Sequence, residues 1–201
     1  MKSVLISTRP KWCEKICRKI GEENGIPVYL KPVEVRKSAP KEVPFKAYLY
    51  CTKPKVFGEL IMCKSRENAT LFGYGNIIGI NRGFRKPEDE LLFGKVIGEF
   101  VCDRVEKYEA DERGWYVYPR DDTCLWVHEI ASYGKGKPLY GWHISDLKIY
   151  DKPRELGEFK TPDKPYHEII ERDGSLMFMD GYESGKPLKR APQSWQYVEE
   201  F

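Results

Sequence analysis

The run 94–108 carries the longest strand signal in the chain, and it commits the protein to a sheet-based fold. Within it Ile97, Glu99 and Val101 share one face, because side chains alternate along a strand. Shorter strand signals surround it at 3–7, 33–37, 46–51, 139–150 and at the end of 191–198. Trp12, Ile16 and Ile20 recur at four-residue spacing, and Cys13 and Cys17 widen that stripe. The spacing predicts an amphipathic helix over 10–20, started at Thr8-Arg9-Pro10 and ended by the turn-rich stretch 21–27. Asp121-Asp122-Thr123 predicts the cap of a second helix reaching about Ser132, and 152–156 reads as a turn or short helix. Together the pieces predict an α+β fold: a small mixed β-barrel with flanking helices. One domain spans 1–201, with excursions at about 53–93 and 157–190.

Composition narrows the function classes. With 34 basic against 31 acidic side chains, a polybasic binder that works by bulk charge is excluded, and a nucleic-acid site must be a local patch. The 13 tyrosines, 9 phenylalanines and 5 tryptophans exclude a disordered chain. The apolar run 4–6 is too short for a signal peptide, and no stretch approaches the ~20 apolar residues of a membrane helix. The expectation is a cytoplasmic protein without a membrane partner, so the acceptor-like Asn68-Ala69-Thr70 carries nothing. Six cysteines, without a Cys-x-x-Cys pair and with only three scattered histidines, predict reduced packed thiols and neither metal nor cofactor. Gly73-Tyr74-Gly75 and Gly134-Lys135-Gly136 lack the spacing of dinucleotide and phosphate loops.

Strand parity supplies the candidate site. Val33 and Val35 face one way, Glu34 and Arg36 the other. The charged face reads either as a solvated outer surface or as half of a buried ion pair, with Glu99 as the partner of Arg36. On 139–150, Trp142 and Ile144 share one parity while Leu147 and Ile149 share the other, which predicts a bulge near Ser145-Asp146. Bulges often lie beside sites, so His143 and Ser145 become candidates, against the alternative of an ordinary hydrogen-bonded histidine. Lys31, Lys37, Lys41 and Lys46 interleave with Tyr48 and Tyr50, a pattern suited to phosphates and stacked bases or simply to a soluble surface.

Several segments, in order, resemble the ASCH family of PUA-like barrels. They are Arg9-Pro10-Lys11-Trp12-Cys13-Glu14-Lys15-Ile16, Lys31-Pro32-Val33-Glu34-Val35-Arg36-Lys37 and Tyr48-Leu49-Tyr50-Cys51-Thr52. Gly94-Lys95-Val96-Ile97-Gly98-Glu99-Phe100, Tyr140-Gly141-Trp142-His143-Ile144-Ser145-Asp146-Leu147 and Asp151-Lys152-Pro153-Arg154-Glu155-Leu156 follow, and 191–199 closes the set. The chain looks most like bacterial and phage-type members with long insertions. The resemblance implies a barrel with a cleft beside the helix that precedes the Glu-x-Arg strand, and RNA binding linked to translation or transcription control. The leading expectation is that Arg36 and Lys37 meet phosphate or a base edge, that Glu34 and Glu99 fix Arg36 or accept from a base amino group, and that Trp142 or a tyrosine such as Tyr48 stacks. Some small members are amidohydrolases that deacylate N4-acetylcytidine through a lysine, and Lys31 stands in that place. Their threonine three residues later is Glu34 here, and their tight Gly-Glu-Lys-Thr turn is replaced by the longer loop 21–32. In that reading Lys31 is the reactive group and Glu34 or Glu99 moves protons. The expected partner is RNA or a modified nucleoside or nucleotide; a protein partner without a nucleic-acid role is the third reading.

Overall fold

Five stretches of the chain, 1–54, 60–65, 71–75, 90–172 and 175–200, are described by a computed structural model. Strand β1 (Ser3–Thr8) leads into helix α1 (Pro10–Cys17) and the hairpin of β2 (Lys19–Glu23) and β3 (Ile26–Tyr29). Strands β4 (Val33–Arg36) and β5 (Phe45–Cys51) follow. A small sheet holds β6 (Leu60–Lys64), β7 (Leu71–Gly75) and β8 (Glu90–Leu91). The long β9 (Lys95–Tyr108) precedes two short helices, α2 (Arg120–Thr123) and α3 (Val127–Gly134). After β10 (Leu139–Glu155) come a hairpin of β11 (Lys164–Arg172) and β12 (Ser175–Glu183), and finally β13 (Trp195–Val198). No helix among the described residues is long and apolar enough to cross a membrane.

The main sheet has the order β13-β1-β5-β9-β10-β4. Among the described strands only β1 and β5 run parallel, which requires a crossover, and α1 with the β2–β3 hairpin and β4 supplies it. β1 is buried along its whole length because both faces are covered. Val4 and Ile6 pack with Phe45, Ala47, Phe100 and Trp142, while Leu5 packs with Tyr48, Phe159, Leu188 and Val198 on the back. Helix α1 adds Cys13, Ile16 and Cys17 against Leu49, Cys51 and Ile97. The fold is therefore α+β and dominated by strands, as expected.

Among the described residues the ladder stays open: β13 and β4 are its edges. In place of the small mixed β-barrel of the sequence reading, the described residues form a curled sheet whose ends meet through side chains. Trp195 Nε1 donates to Ser38 O and Oγ at 3.3 and 3.1 Å, and Arg36 Nη1 donates to Ser7 O at 2.9 Å.

Local differences have local causes. Helix α1 stops at Cys17, and Ile20 lies exposed on β2. Asn24-Gly25, both at positive φ, form the two-residue turn that pairs β2 with β3. The 152–156 stretch continues β10 to Glu155 before a single 3₁₀ turn. The expected bulge on β10 is present: register shifts lie between Trp142 and Ile144, Ser145 and Lys148, and Ile149 and Arg154, with Asp146 at φ 46°.

All six cysteines are free, and five are buried. Burial pushes the Cys13 and Cys17 thiols well above their ordinary 9.0 and moves Cys102 up to about 12. The folded chain keeps protons that the unfolded chain releases. Stability from these thiols is complete below about pH 9 and declines as pH climbs toward 12, by up to about 1.4 kcal/mol per unit for each thiol. The urea midpoint is therefore expected to fall between about pH 8 and about pH 10.5; an unchanged midpoint contradicts the assignment.

Candidate functional site

Lys31 stands just before β4, and its ammonium is buried. Nζ donates to Val33 O at 2.6 Å and to Thr123 O at 2.7 Å, and lies 3.2 Å from Glu34 Oε2. Cys124, in the left-handed conformation after α2, accompanies the turn that presents the Thr123 carbonyl to this amine. Burial draws the Lys31 pKa below its ordinary value, and Glu34 opposes that shift.

On the other side of Glu34, Oε1 lies 2.9 Å from Arg36 Nη2. The same guanidinium donates to Ser7 O at 2.9 Å and to Thr8 Oγ1 at 2.8 Å. The three charges thus form one buried line, Lys31–Glu34–Arg36, with one positive charge in excess. Parity along β4 is as expected, but the sides are reversed from a solvated charged face. Val35 packs outward under a cover that includes Tyr116, Leu125 and Ile130, while Arg36 points inward to the end of β1.

These groups floor a cleft of about 1060 Å³. Ser7, Thr8 and Arg9 from the end of β1, Trp12 from α1, and Tyr50, Thr52 and Lys53 from the end of β5 line it. Helix α3 adds His128, Glu129, Ser132 and Tyr133, and the segment 191–194 closes the wall. Three cations crowd the Trp12 ring: Lys11, Lys15 and Lys31 lie 4.2, 5.2 and 5.4 Å from its centroid. Lys11 Nζ also donates to Glu129 Oε1 at 2.8 Å, tying α1 to α3, and Glu129 Oε2 accepts the Trp126 N–H at 3.0 Å.

The structure gathers Lys31, Glu34 and Arg36 and separates the other candidates from them. Glu99 does not pair with Arg36. Strand β10 lies between β9 and β4, and Glu99 instead accepts the Tyr150 hydroxyl at 2.7 Å, with Lys46 Nζ 4.0 Å away. Tyr48 is fully buried, its ring 4.9 Å from that of Phe159, and so presents no stacking face. Trp142 is likewise core, edge-on to Phe45 and Trp195. His143 sits between Arg104 Nη2 at 3.0 Å and Glu106 Oε2 at 3.3 Å, and Ser145 Oγ donates to Val101 O. Neither residue lines the cleft. Lys37 lies just outside the lining, its Nζ 5.0 Å from the Tyr133 ring centroid. Trp12, His128, Ser132 and Tyr133 were absent from the sequence-derived site. Trp12 carried a signal, at the head of the α1 stripe, but that signal reads equally well as core.

No protein-family model, curated protein or solved structure matches this chain.

Lys31→Met removes the ammonium and strands two buried carbonyls and half of the Glu34 carboxylate. A loss of about 3–5 kcal/mol is expected in urea unfolding. A loss below about 1 kcal/mol would show that the amine is not part of the charge line.

Proposed function

We propose that the chain is a PUA-like protein of the ASCH type, cytoplasmic, that binds RNA or a modified nucleotide in this cleft. The observation that carries the reading is the combination of a half-buried tryptophan ringed by three lysines with a buried Lys31–Glu34–Arg36 line at the cleft floor. Aromatic faces beside fixed cations are what stacked bases and phosphates require. The cleft's place beside α1 and the Glu-x-Arg strand supports the reading. Trp12, Tyr50 and Tyr133 line the wall where a base stacks, and the exposed Arg9 and Lys53 occupy the lip where phosphate arrives. Most of the Arg36 guanidinium is committed to the protein, which leaves only Nε without a partner. Its terminal nitrogens are engaged by Glu34, Ser7 and Thr8, so it positions the floor.

The test is titration of the protein with single-stranded RNA and with nucleosides, followed by tryptophan fluorescence at several salt concentrations. Stacking of a base is worth about 1–3 kcal/mol, so Trp12→Ala is expected to weaken binding on the order of tenfold or more while circular dichroism stays unchanged. RNA affinity must also fall steeply with salt. Unchanged binding in the variant overturns the assignment of the wall.

A second reading, hydrolysis of an acylated nucleobase, is favoured by the lowered pKa of a lysine amine next to a carboxylate. Three acceptors around Nζ hold the ammonium form, and Glu99 is too far removed in the sheet to assist. Incubation with N4-acetylcytidine decides this reading: the binding reading expects no free cytidine. A third, a protein-interaction module, is favoured by the apolar β11–β12 hairpin, where Phe178 and Tyr182 are 77% and 74% exposed. A flat salt response with every oligonucleotide would favour it.

A further inference from the structure

Buried polar side chains nearly always have a hydrogen-bond partner, and each exception calls for an explanation. Ser7 Oγ, Ser194 Oγ and Arg36 Nε are buried and have none among the described residues. All three residues line the cleft. They are also joined to one another: the Ser7 N–H donates to Ser194 O at 2.8 Å, and Arg36 Nη1 donates to Ser7 O at 2.9 Å. Other unpaired buried atoms, such as Ser3 Oγ and Trp142 Nε1, belong to residues away from the cleft.

We propose that this corner of the cleft is a phosphate subsite, so that the ligand is a nucleotide carrying a phosphate rather than a bare nucleoside. The proposal rests on the nucleotide-binding reading above and specifies its ligand. Two rotatable hydroxyls and a guanidinium N–H offer three donors and no committed acceptor, which matches a group made of acceptor oxygens. Charge selects between such groups. Lys31 and Arg36 against Glu34 leave one positive charge on the floor, and the exposed Lys53 adds another at the lip. A neutral base carbonyl would satisfy a donor and leave that charge uncompensated; a phosphate satisfies both. The donors come from β1, β4 and the C-terminal segment, whereas α1 and α3 supply Trp12, His128 and Tyr133. Phosphate and base thus meet different parts of the wall.

Calorimetric titration of the full chain with cytidine, cytidine monophosphate, adenosine, adenosine monophosphate and inorganic phosphate tests the subsite. Each monophosphate is expected to bind at least about tenfold tighter than its nucleoside, and inorganic phosphate is expected to compete with the monophosphates only. In S7A/S194A the preference should fall to within about twofold while nucleoside affinity stays unchanged. The melting temperature of the unliganded variant should stay level or rise, because an unpaired buried hydroxyl opposes folding whereas a structural one supports it. Should the double variant not fold, Lys53→Gln, at an exposed position, reports on the same subsite through a selective loss of monophosphate affinity of about threefold or more. Equal affinity of nucleoside and monophosphate for the unmodified protein overturns the subsite and leaves the cleft reading standing. Retention of the full preference in S7A/S194A overturns it too. Absence of binding by every nucleoside, nucleotide and RNA removes both.

Discussion

Glu34 lies between two cations, 3.2 Å from Lys31 and 2.9 Å from Arg36, with all three side chains more than nine-tenths buried. Charges so far from water are costly unless opposite charges and hydrogen bonds offset most of that cost. Here the lysine amine finds the carbonyl oxygens of Val33 and Thr123, and the terminal nitrogens of the arginine find Ser7 and Thr8, while Arg36 Nε stays unpaired. The line of charge therefore fastens the edge strand β4 to β1, and the α2 turn to the start of β4. A cleft with this floor has its geometry set by hydrogen bonds, where an apolar floor would leave it to packing alone.

The same line compensates for a sheet that does not close by its own ladder. Strands β13 and β4 stay at the two edges, yet Trp195 reaches Ser38 and Arg36 reaches Ser7. Curling is permitted because β10 shifts register three times along its length, and each irregularity bends the strand. Gly98 marks the tight crossing: a Cβ there would meet the Lys148 carbonyl oxygen.

The six strands of the main sheet were legible. Alternation and tyrosine-rich runs located β1, β4, β5, β9, β10 and β13, and conflicting parities on β10 located the bulge. What was not legible depends on what covers each face. Glu34 and Arg36 alternate with valines just as a solvated face would, and only the third dimension shows that the charges point inward. Tyr48 and Trp142 carry the composition of stackers, but a covered back sheet and an interior position make them core. The Arg36–Glu99 pairing failed because face parity carries no strand order, and β10 intervenes. The Asn24-Gly25 turn was legible in principle, since that dipeptide pairs short strands. Its signal was submerged in a region that also reads as a helix end. The β11–β12 hairpin lay inside an expected excursion, because strands without a core to face leave a weak pattern.

Strand β1 is sandwiched between β5 and β13, so Ser3 faces Lys46 on one side and Val198 on the other. The cleft inherits this arrangement, since Ser7 and Ser194 meet across it. Contacts so distant along the chain are entropically slow to form, and a nascent chain cannot form them before the 191–198 segment has left the ribosome. Maturation of the cleft is thereby timed by translation: until that segment docks, β1 has one unpaired edge and the cleft lacks a wall. A newly made chain therefore passes through an interval in which one edge of β1 is open to unwanted strand pairing.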